Sequence, residues 1–269
     1  MSESDWTDAR ILDALGEWGW GPPGSEVINT DEYRVVFLPE EYGHRATVPR
    51  IDSDRPGTMI IREVAQLAST RGYGEISWSI YPTTRPESLG DDLVALGGTV
   101  IDEGALMSLR VPDSGLLEVG PTPGVEVRRV REINGLTDYR RIISTVYEQP
   151  LPSAAEIVEE SRGIPQDKLG CRFVAYIDGE PVGTGAIAIR ADGSASLFGA
   201  ATYQEFRGRG AYRAILAART RWASEKDVPV LLVSGRLTTS APIMKRVGFT
   251  HHGYTRNISL STRSDLDLR

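Results

Sequence analysis

The chain has 269 residues, a formal net charge of −7 at pH 7 and 25% charged residues, which is typical of a soluble globular protein of one or two domains. The negative charge argues against a protein that binds duplex nucleic acid, and the single cysteine, Cys171, excludes an intrachain disulfide framework. No long apolar run and no apolar secretory segment occur, so we expect a cytoplasmic protein that makes no use of a membrane.

The first 111 residues predict alternating helices and strands. Apolar residues recur at helical spacing in 58–71 and alternate with polar residues in 76–80. Residues 40–54 have no clear period, so we expect a loop or an edge strand there. The predicted helices cover 8–18, 58–71 and 86–96, and the predicted strands cover 33–38, 76–80 and 99–111.

Residues 112–124 contain three prolines and three glycines, and they show little periodicity. Such a segment is typical of a linker between domains. We therefore predict a first domain at 1–118, a linker at 119–124, a second domain at 125–262 and a C-terminal tail at 263–269.

The second half of the chain predicts an α/β (α+β) domain, with a mixed central sheet flanked by helices. Asp178-Gly179 is a strong hairpin signal, and Ser153 with Glu156 forms a capping-box pattern. The predicted strands cover 125–130, 172–177, 181–190, 194–201, 228–234 and 251–262, and the predicted helices cover 136–148, 153–162, 210–225 and 240–247.

A loop of sequence Arg207-Gly208-Arg209-Gly210 joins a strand of small residues to the helix predicted at 210–225. The first N–H groups of a helix have no partner within it, and the helix dipole favours an anion at that end. The two arginines add positive charge at the same place. The pattern therefore predicts a phosphate or pyrophosphate site.

This segment resembles the acetyl-CoA loop of the GNAT-type N-acetyltransferases, whose signature is Gln/Arg-x-x-Gly-x-Gly/Ala. Arg207, Gly210 and Tyr212 occupy the three signature places. Tyr212 departs from the usual small residue, which either crowds the pyrophosphate or shifts its approach. The Asp178-Gly179 hairpin and the Val247-Gly248-Phe249 segment are two further similarities, and the resemblance covers about 125–261.

The resemblance implies a GNAT fold and a reaction in which an amine attacks acetyl-CoA directly. The strand before the loop would bind the pantetheine arm by backbone pairing, and a backbone N–H of that strand would polarise the thioester carbonyl. The residues that the resemblance assigns to acetyl-CoA are Ala200, Ala201, Thr202, Arg207, Gly208, Arg209, Gly210, Ala211 and Tyr212.

The proton carriers are not evident from the sequence. Family members often place a tyrosine five residues before the phenylalanine of Gly-Phe, and this chain has Met244 there. Ser240 and Tyr254 are the candidate catalytic residues that remain, although Ser240 at a helix start also suits a cap. His251 and His252 are further candidates for a base, and a solvated surface position is the alternative for both.

The first half of the chain repeats the helix–strand–helix–strand order of the second half. Leu96-Gly97-Gly98-Thr99 echoes Val247-Gly248-Phe249-Thr250, which suggests two related domains. Where the second copy has its arginine–glycine loop, the first has Asp54-Arg55-Pro56-Gly57. An acid and a proline repel phosphate and remove a donor, so we expect a degenerate GNAT-like domain that binds no cofactor.

The resulting hypothesis is an acetyl-CoA-dependent N-acetyltransferase that acts on a small-molecule or peptide amine. No metal site is expected, because no Cys/His cluster has metal-ligand spacing. The alternative is a non-catalytic acyl-CoA-binding regulatory module. The identity of the amine and the oligomeric state, with a homodimer as one option, are left open by the sequence.

Overall fold

The computed structural model describes residues 6–17, 21, 24–164 and 168–262. Trp18, where the first predicted helix ends, and the predicted tail at 263–269 lie outside the described residues. The chain divides into two compact units. The first unit comprises 1–107, 234–242 and 251–269, and the second comprises 108–233 and 243–250. The domain and linker boundaries expected from the sequence stay a prediction.

The predicted helices and strands are present, with ends that differ by a few residues, and a short strand at 26–29 is added. In chain order the elements are α1 Asp8–Gly16, β1 Glu26–Asn29, β2 Tyr33–Phe37, β3 Ala46–Ile51, α2 Gly57–Thr70, β4 Glu75–Ile80, α3 Leu89–Ala95, β5 Thr99–Arg110, β6 Glu126–Arg129, α4 Ile133–Val146, α5 Ala154–Ser161, β7 Gly170–Ile177, β8 Glu180–Ile189, β9 Ala195–Thr202, α6 Ala211–Ser224, β10 Val230–Arg236, α7 Ser240–Arg246 and β11 Thr250–Ser261.

The strands of the first unit lie in the order β1-β2-β3-β4-β11-β5. The last strand of the chain therefore enters this sheet, where it pairs antiparallel with β4, and Ile258 lies opposite Trp78. Ile258 and Trp78 are fully buried, together with Ile60, Ile61 and Val64 of helix α2. The spacing of these three helix residues places them on the face that the sheet covers.

Strand β3 corrects the expectation of a loop or an edge strand at 40–54, because it lies between β2 and β4. Its residues Ala46 and Val48 are fully buried. Its Pro49 is unusual inside a sheet, because proline cannot donate to the ladder. The pairing of β3 with β4 ends at Val48, and the pairing with β2 shifts register at the same level. Pro49 therefore takes a position that needs no N–H.

The start of helix α2 holds a carboxylate that belongs to the chain itself. Pro56 precedes the helix and makes no side-chain cap. The carboxylate of Asp92 lies so close to Gly57 that a side-chain carbon there would clash with it, and Ser88 Oγ donates to Asp92 Oδ2 at 2.9 Å. The dipole of α2 is thus met by an internal anion.

The strands of the second unit lie in the order β10-β9-β8-β7-β6. The β7–β8 hairpin turns at Asp178-Gly179, where both residues have positive φ, as the tightest hairpin turns require. Helices α4 and α6 both pack on β7, β8 and β9, and Tyr139 and Ile142 of α4 are buried in the core. The capping box of α5 forms as expected, since Ser153 and Glu156 bond each other's backbone N–H.

A prediction for the first unit concerns Glu63, which accepts a hydrogen bond from Tyr33 Oη at 2.7 Å and pairs with Arg55 Nη2 at 2.6 Å. Tyr33 chiefly, and then Arg55, lower the pKa of Glu63 from its ordinary value of 4.5. The stabilisation is therefore present above pH 4.5 and is lost as the pH falls through the lowered pKa. We expect Glu63→Gln to lower the melting temperature at pH 7, and we expect the difference from wild type to shrink towards pH 3.

The control is Glu87→Gln, which changes an exposed glutamate in the same way and should leave the melting temperature unchanged at both pH values. A difference between Glu63→Gln and wild type that stays constant from pH 7 to pH 3 would contradict the assigned role of the carboxylate.

Candidate functional site

Strand β9 has an open side. In the described part of the chain, the parallel pairing of β9 with β10 covers only Ala195 with Leu231 and Ser196 with Leu232. The antiparallel pairing with β8, in contrast, continues to Thr202. The backbone groups of β9 beyond Ser196 that point away from β8 are therefore not used by β10. An extended ligand can pair with such groups as an added strand would.

A bulge interrupts β9 in this open stretch. Phe198 lies opposite Ala186 and Ala201 opposite Thr184, so that Gly199 and Ala200 together face one residue of β8. Gly199 has φ +58°, and a side-chain carbon there would clash with the hydroxyl of Tyr139. Both facts require glycine at this position.

The hydrogen bonds around the bulge fix the direction of its peptides. Thr184 Oγ1 on β8 donates to the Gly199 carbonyl at 2.9 Å. In a trans peptide the C=O and N–H point in opposite directions, so the Ala200 N–H points away from β8, towards the open side. The bulge thus presents a backbone donor on the open side of β9.

The ladder also separates Ala200, Ala201 and Thr202, which the resemblance to the GNAT family assigns to the pantetheine arm. In an antiparallel pair, every second residue of a strand bonds its neighbour. The hydrogen bond from the Tyr203 N–H to the Val182 carbonyl, at 3.0 Å, shows which residues of β9 bond β8. By that alternation Ala201 bonds Thr184 of β8, whereas the backbone groups of Ala200 and Thr202 face the open side.

The arginine–glycine loop leads from β9 into helix α6. Gly208 and Gly210 have φ +77° and +88°, and Gly210 caps α6 without any side-chain hydrogen bond. The first N–H groups of α6 therefore remain available to a ligand. Arg207 and Arg209 are exposed, and Arg209 Nη2 lies 3.6 Å from Asp178 Oδ2. The loop places positive charge and free donors at one helix end.

The second unit, which contains β9 and α6, was compared with known families. Residues 136–249 match the model of the Acetyltransferase (GNAT) family. Residues 136–249 form a GNAT-family domain. Among curated proteins, none matches the sequence.

Solved structures show the same fold. The chain is similar to a GCN5-related N-acetyltransferase from Kribbella flavida, with a TM-score of 0.65 and 17% identity over 94% of this chain and 93% of that protein. It is also similar to a tandem GNAT protein from the clavulanic acid biosynthesis pathway, with a TM-score of 0.64 and 12% identity over 93% of this chain and 87% of that protein. For a GCN5-related N-acetyltransferase from Sphaerobacter thermophilus the TM-score is 0.63, with 15% identity over 96% of this chain and 87% of that protein. At these identities the likeness establishes the GNAT fold.

Tyr212, the unusual residue of the GNAT signature, lies beside the buried guanidinium of Arg219, and burial raises the pKa of its hydroxyl. Its side chain is therefore turned into the domain. Arg219 itself is 1% exposed, and its Nη1 donates to the Ala186 carbonyl at 3.2 Å. Burial lowers the pKa of Arg219, and its Nε and Nη2 have no hydrogen-bond partner among the described residues. Sequence reasoning missed this buried charge, although its spacing was a signal: Arg219 lies four residues after Ile215 and three before Trp222, on the apolar face of α6.

The candidate proton carriers Ser240 and Tyr254 belong to the first unit. Ser240 is half-buried at the start of α7. Tyr254 is 60% exposed on β11, and its ring contacts that of His251 at 4.6 Å between centroids. Their catalytic assignment stays a prediction. Met244, at the usual tyrosine position of GNAT enzymes, is fully buried.

Sequence reasoning missed Gly199, Thr184 and Tyr147, which shape the bulge. Gly199 carried a weak signal, because glycine inside a strand often marks a bulge. Thr184 and Tyr147 carried none, since their roles depend on contacts distant in sequence. Across the described residues, no cluster of His, Cys, Asp or Glu has the geometry of a metal site, and no helix is long and apolar enough to cross a membrane.

A prediction follows from the unpaired charge of Arg219. Burying a cation without a carboxylate partner costs free energy, and apolar replacements of buried charges are often neutral or stabilising. We expect Arg219→Met, which keeps most of the side-chain volume, to leave the melting temperature unchanged or to raise it. Arg213→Met on the exposed side of the same helix is the control, with no change expected. A fall of several degrees for Arg219→Met alone would show that the guanidinium is a net stabiliser.

Proposed function

We propose that the protein transfers an acetyl group from acetyl-CoA to an amine, by direct attack within a ternary complex. The observation that carries this proposal is the Ala200 N–H, which points to the open side of β9 one short loop before the free start of helix α6. A thioester carbonyl bound to that N–H would have a donor for the negative charge that develops on its oxygen.

The pyrophosphate of acetyl-CoA suits the arginine–glycine loop. The N–H groups at the start of α6 and the dipole of that helix favour an anion, and Arg207 and Arg209 contribute charge. The N–H groups of Ala200 and Thr202 would bond the acyl and pantetheine part, whereas Ala201 would hold the strand to β8. The carbonyls of Ala200 and Thr202 accept hydrogen bonds from Tyr147 Oη and Arg207 Nε. The remaining proposed contacts are Gly208, Gly210 and Ala211 at the loop and Tyr212 behind it.

The acceptor would be a small-molecule or peptide amine that attacks in its neutral form. The first half of the chain would be a degenerate GNAT-like domain without a cofactor of its own. The Asp92 carboxylate at the start of α2 supports this view, because it holds the place of an external anion. Arg55 is likewise engaged by Glu32 and Glu63.

A second candidate function is a non-catalytic acyl-CoA-binding module in the cytoplasm. The buried Met244 favours it, because the usual proton donor is missing. The two functions share the cofactor site and differ in turnover. Release of CoA thiol, measured against a panel of amines, distinguishes them.

The cofactor loop can be tested by placing one negative charge in it and measuring the thermal shift with acetyl-CoA. Saturation with acetyl-CoA at a hundredfold excess over its dissociation constant should stabilise the wild type by about 2.7 kcal/mol, measured as a thermal shift. Gly208 has open space around its missing side chain, and Asp and Asn both tolerate a positive φ. We expect Gly208→Asp to abolish the shift, because a carboxylate repels the pyrophosphate.

The matched control is Gly208→Asn, which has nearly the same shape without the charge and should retain most of the shift. Equal loss in both variants would indicate a steric effect, and no shift in the wild type would reject the acetyl-CoA assignment.

A further inference from the structure

The proposed reaction requires a group that gives a proton to the departing thiolate. Met244 cannot do so, since a thioether carries no exchangeable proton. The second unit nevertheless holds a hydroxyl directly on the acyl-binding strand. Tyr147 Oη donates to the Ala200 carbonyl at 2.9 Å.

The Tyr147 hydroxyl lies on the open side of β9. The alternation of the ladder directs the Ala201 N–H to Thr184 of β8. Because the Ala200 carbonyl belongs to the same trans peptide, it points the opposite way, and the hydroxyl that bonds it lies beyond that edge of the strand. Ala200 thus has its own N–H and the Tyr147 hydroxyl on the same open side.

The phenol is held in place without being enclosed. Tyr147 caps the end of α4, where its N–H bonds the Ile143 carbonyl at 3.0 Å, and the side chain is half-buried. Tyr139, two turns earlier on α4, packs its hydroxyl against Gly199 and keeps the bulge at a fixed distance from the helix. The Tyr147 ring is therefore anchored while its oxygen stays close to the open side.

We propose that Tyr147 is the catalytic residue that protonates the CoA thiolate, in place of the tyrosine that Met244 replaces. This inference rests on the proposed function. The lone pair of the neutral amine forms the C–N bond, the C–S bond breaks, and the Tyr147 proton moves to sulfur. The surplus proton on the new amide nitrogen returns to the Tyr147 oxygen directly or through water, which leaves the enzyme unchanged.

The test compares Tyr147→Phe with Tyr176→Phe in the full chain. Tyr176 on β7 is a matched control, because its hydroxyl also donates a hydrogen bond, to Asp138. With an amine from the turnover panel, Tyr147→Phe should lower kcat by at least about 100-fold, the range for a general acid. Its affinity for acetyl-CoA, measured by thermal shift, should stay within about threefold, because Phe keeps the ring and Thr184 still holds the peptide that carries the Ala200 N–H. The fall of kcat at alkaline pH that ionisation of a tyrosine acid causes should disappear.

A crystal structure of the CoA complex provides a readout that needs no acceptor. A Tyr147 oxygen within hydrogen-bond reach of the CoA sulfur, up to about 4 Å when a sulfur is involved, supports the proposal. Two results would overturn this inference alone, provided that the wild type binds acetyl-CoA. One is a Tyr147→Phe variant that keeps kcat within threefold of wild type, and the other is a complex in which Tyr147 lies far from the CoA sulfur. A chain that binds no acetyl-CoA overturns the proposed function together with it.

Discussion

The hydrogen bond from Thr184 to the Gly199 carbonyl is the interaction on which the candidate site depends. It turns one peptide of β9 so that the Ala200 N–H leaves the sheet ladder and points to the open side. The bond also polarises that peptide, which strengthens its N–H as a donor. Thr184 is fully buried, so water does not compete for its hydroxyl. A backbone N–H in a strand ordinarily donates to the next strand. The bulge turns the Ala200 N–H away from β8.

The bulge also gives a role to two tyrosines, Tyr139 on α4 and Tyr147 at its C-cap. Tyr139 fills the space that the missing side chain of Gly199 leaves, and Tyr147 bonds the carbonyl of Ala200. Each carbonyl of the bulge therefore has a hydroxyl partner in place of a strand partner. An unsatisfied carbonyl near the core would cost free energy, so these side chains stabilise the distortion that the function needs.

The two halves of the chain treat the start of a helix differently. At α6 a glycine with positive φ caps the helix and leaves its first donors unused by any side chain. At α2 the Asp92 carboxylate takes the same place, and Glu32 and Glu63 engage the neighbouring Arg55. An internal anion and an external anion compete for the same electrostatic site. Similar element orders therefore support different proposals for the two halves.

The sequence by itself determined the type and order of nearly all helices and strands, the hairpin at Asp178-Gly179 and the glycine loop before α6, because each depends on residues that are neighbours in the chain. It misjudged β3, whose proline is tolerated only because pairing with β4 ends beside it. Only the tertiary structure decided which side of β9 stays open, where Tyr212 points and which hydroxyls meet the bulge. Those features come from contacts between residues far apart in sequence, such as Tyr147 with Ala200, and from a register shift that no local pattern encodes.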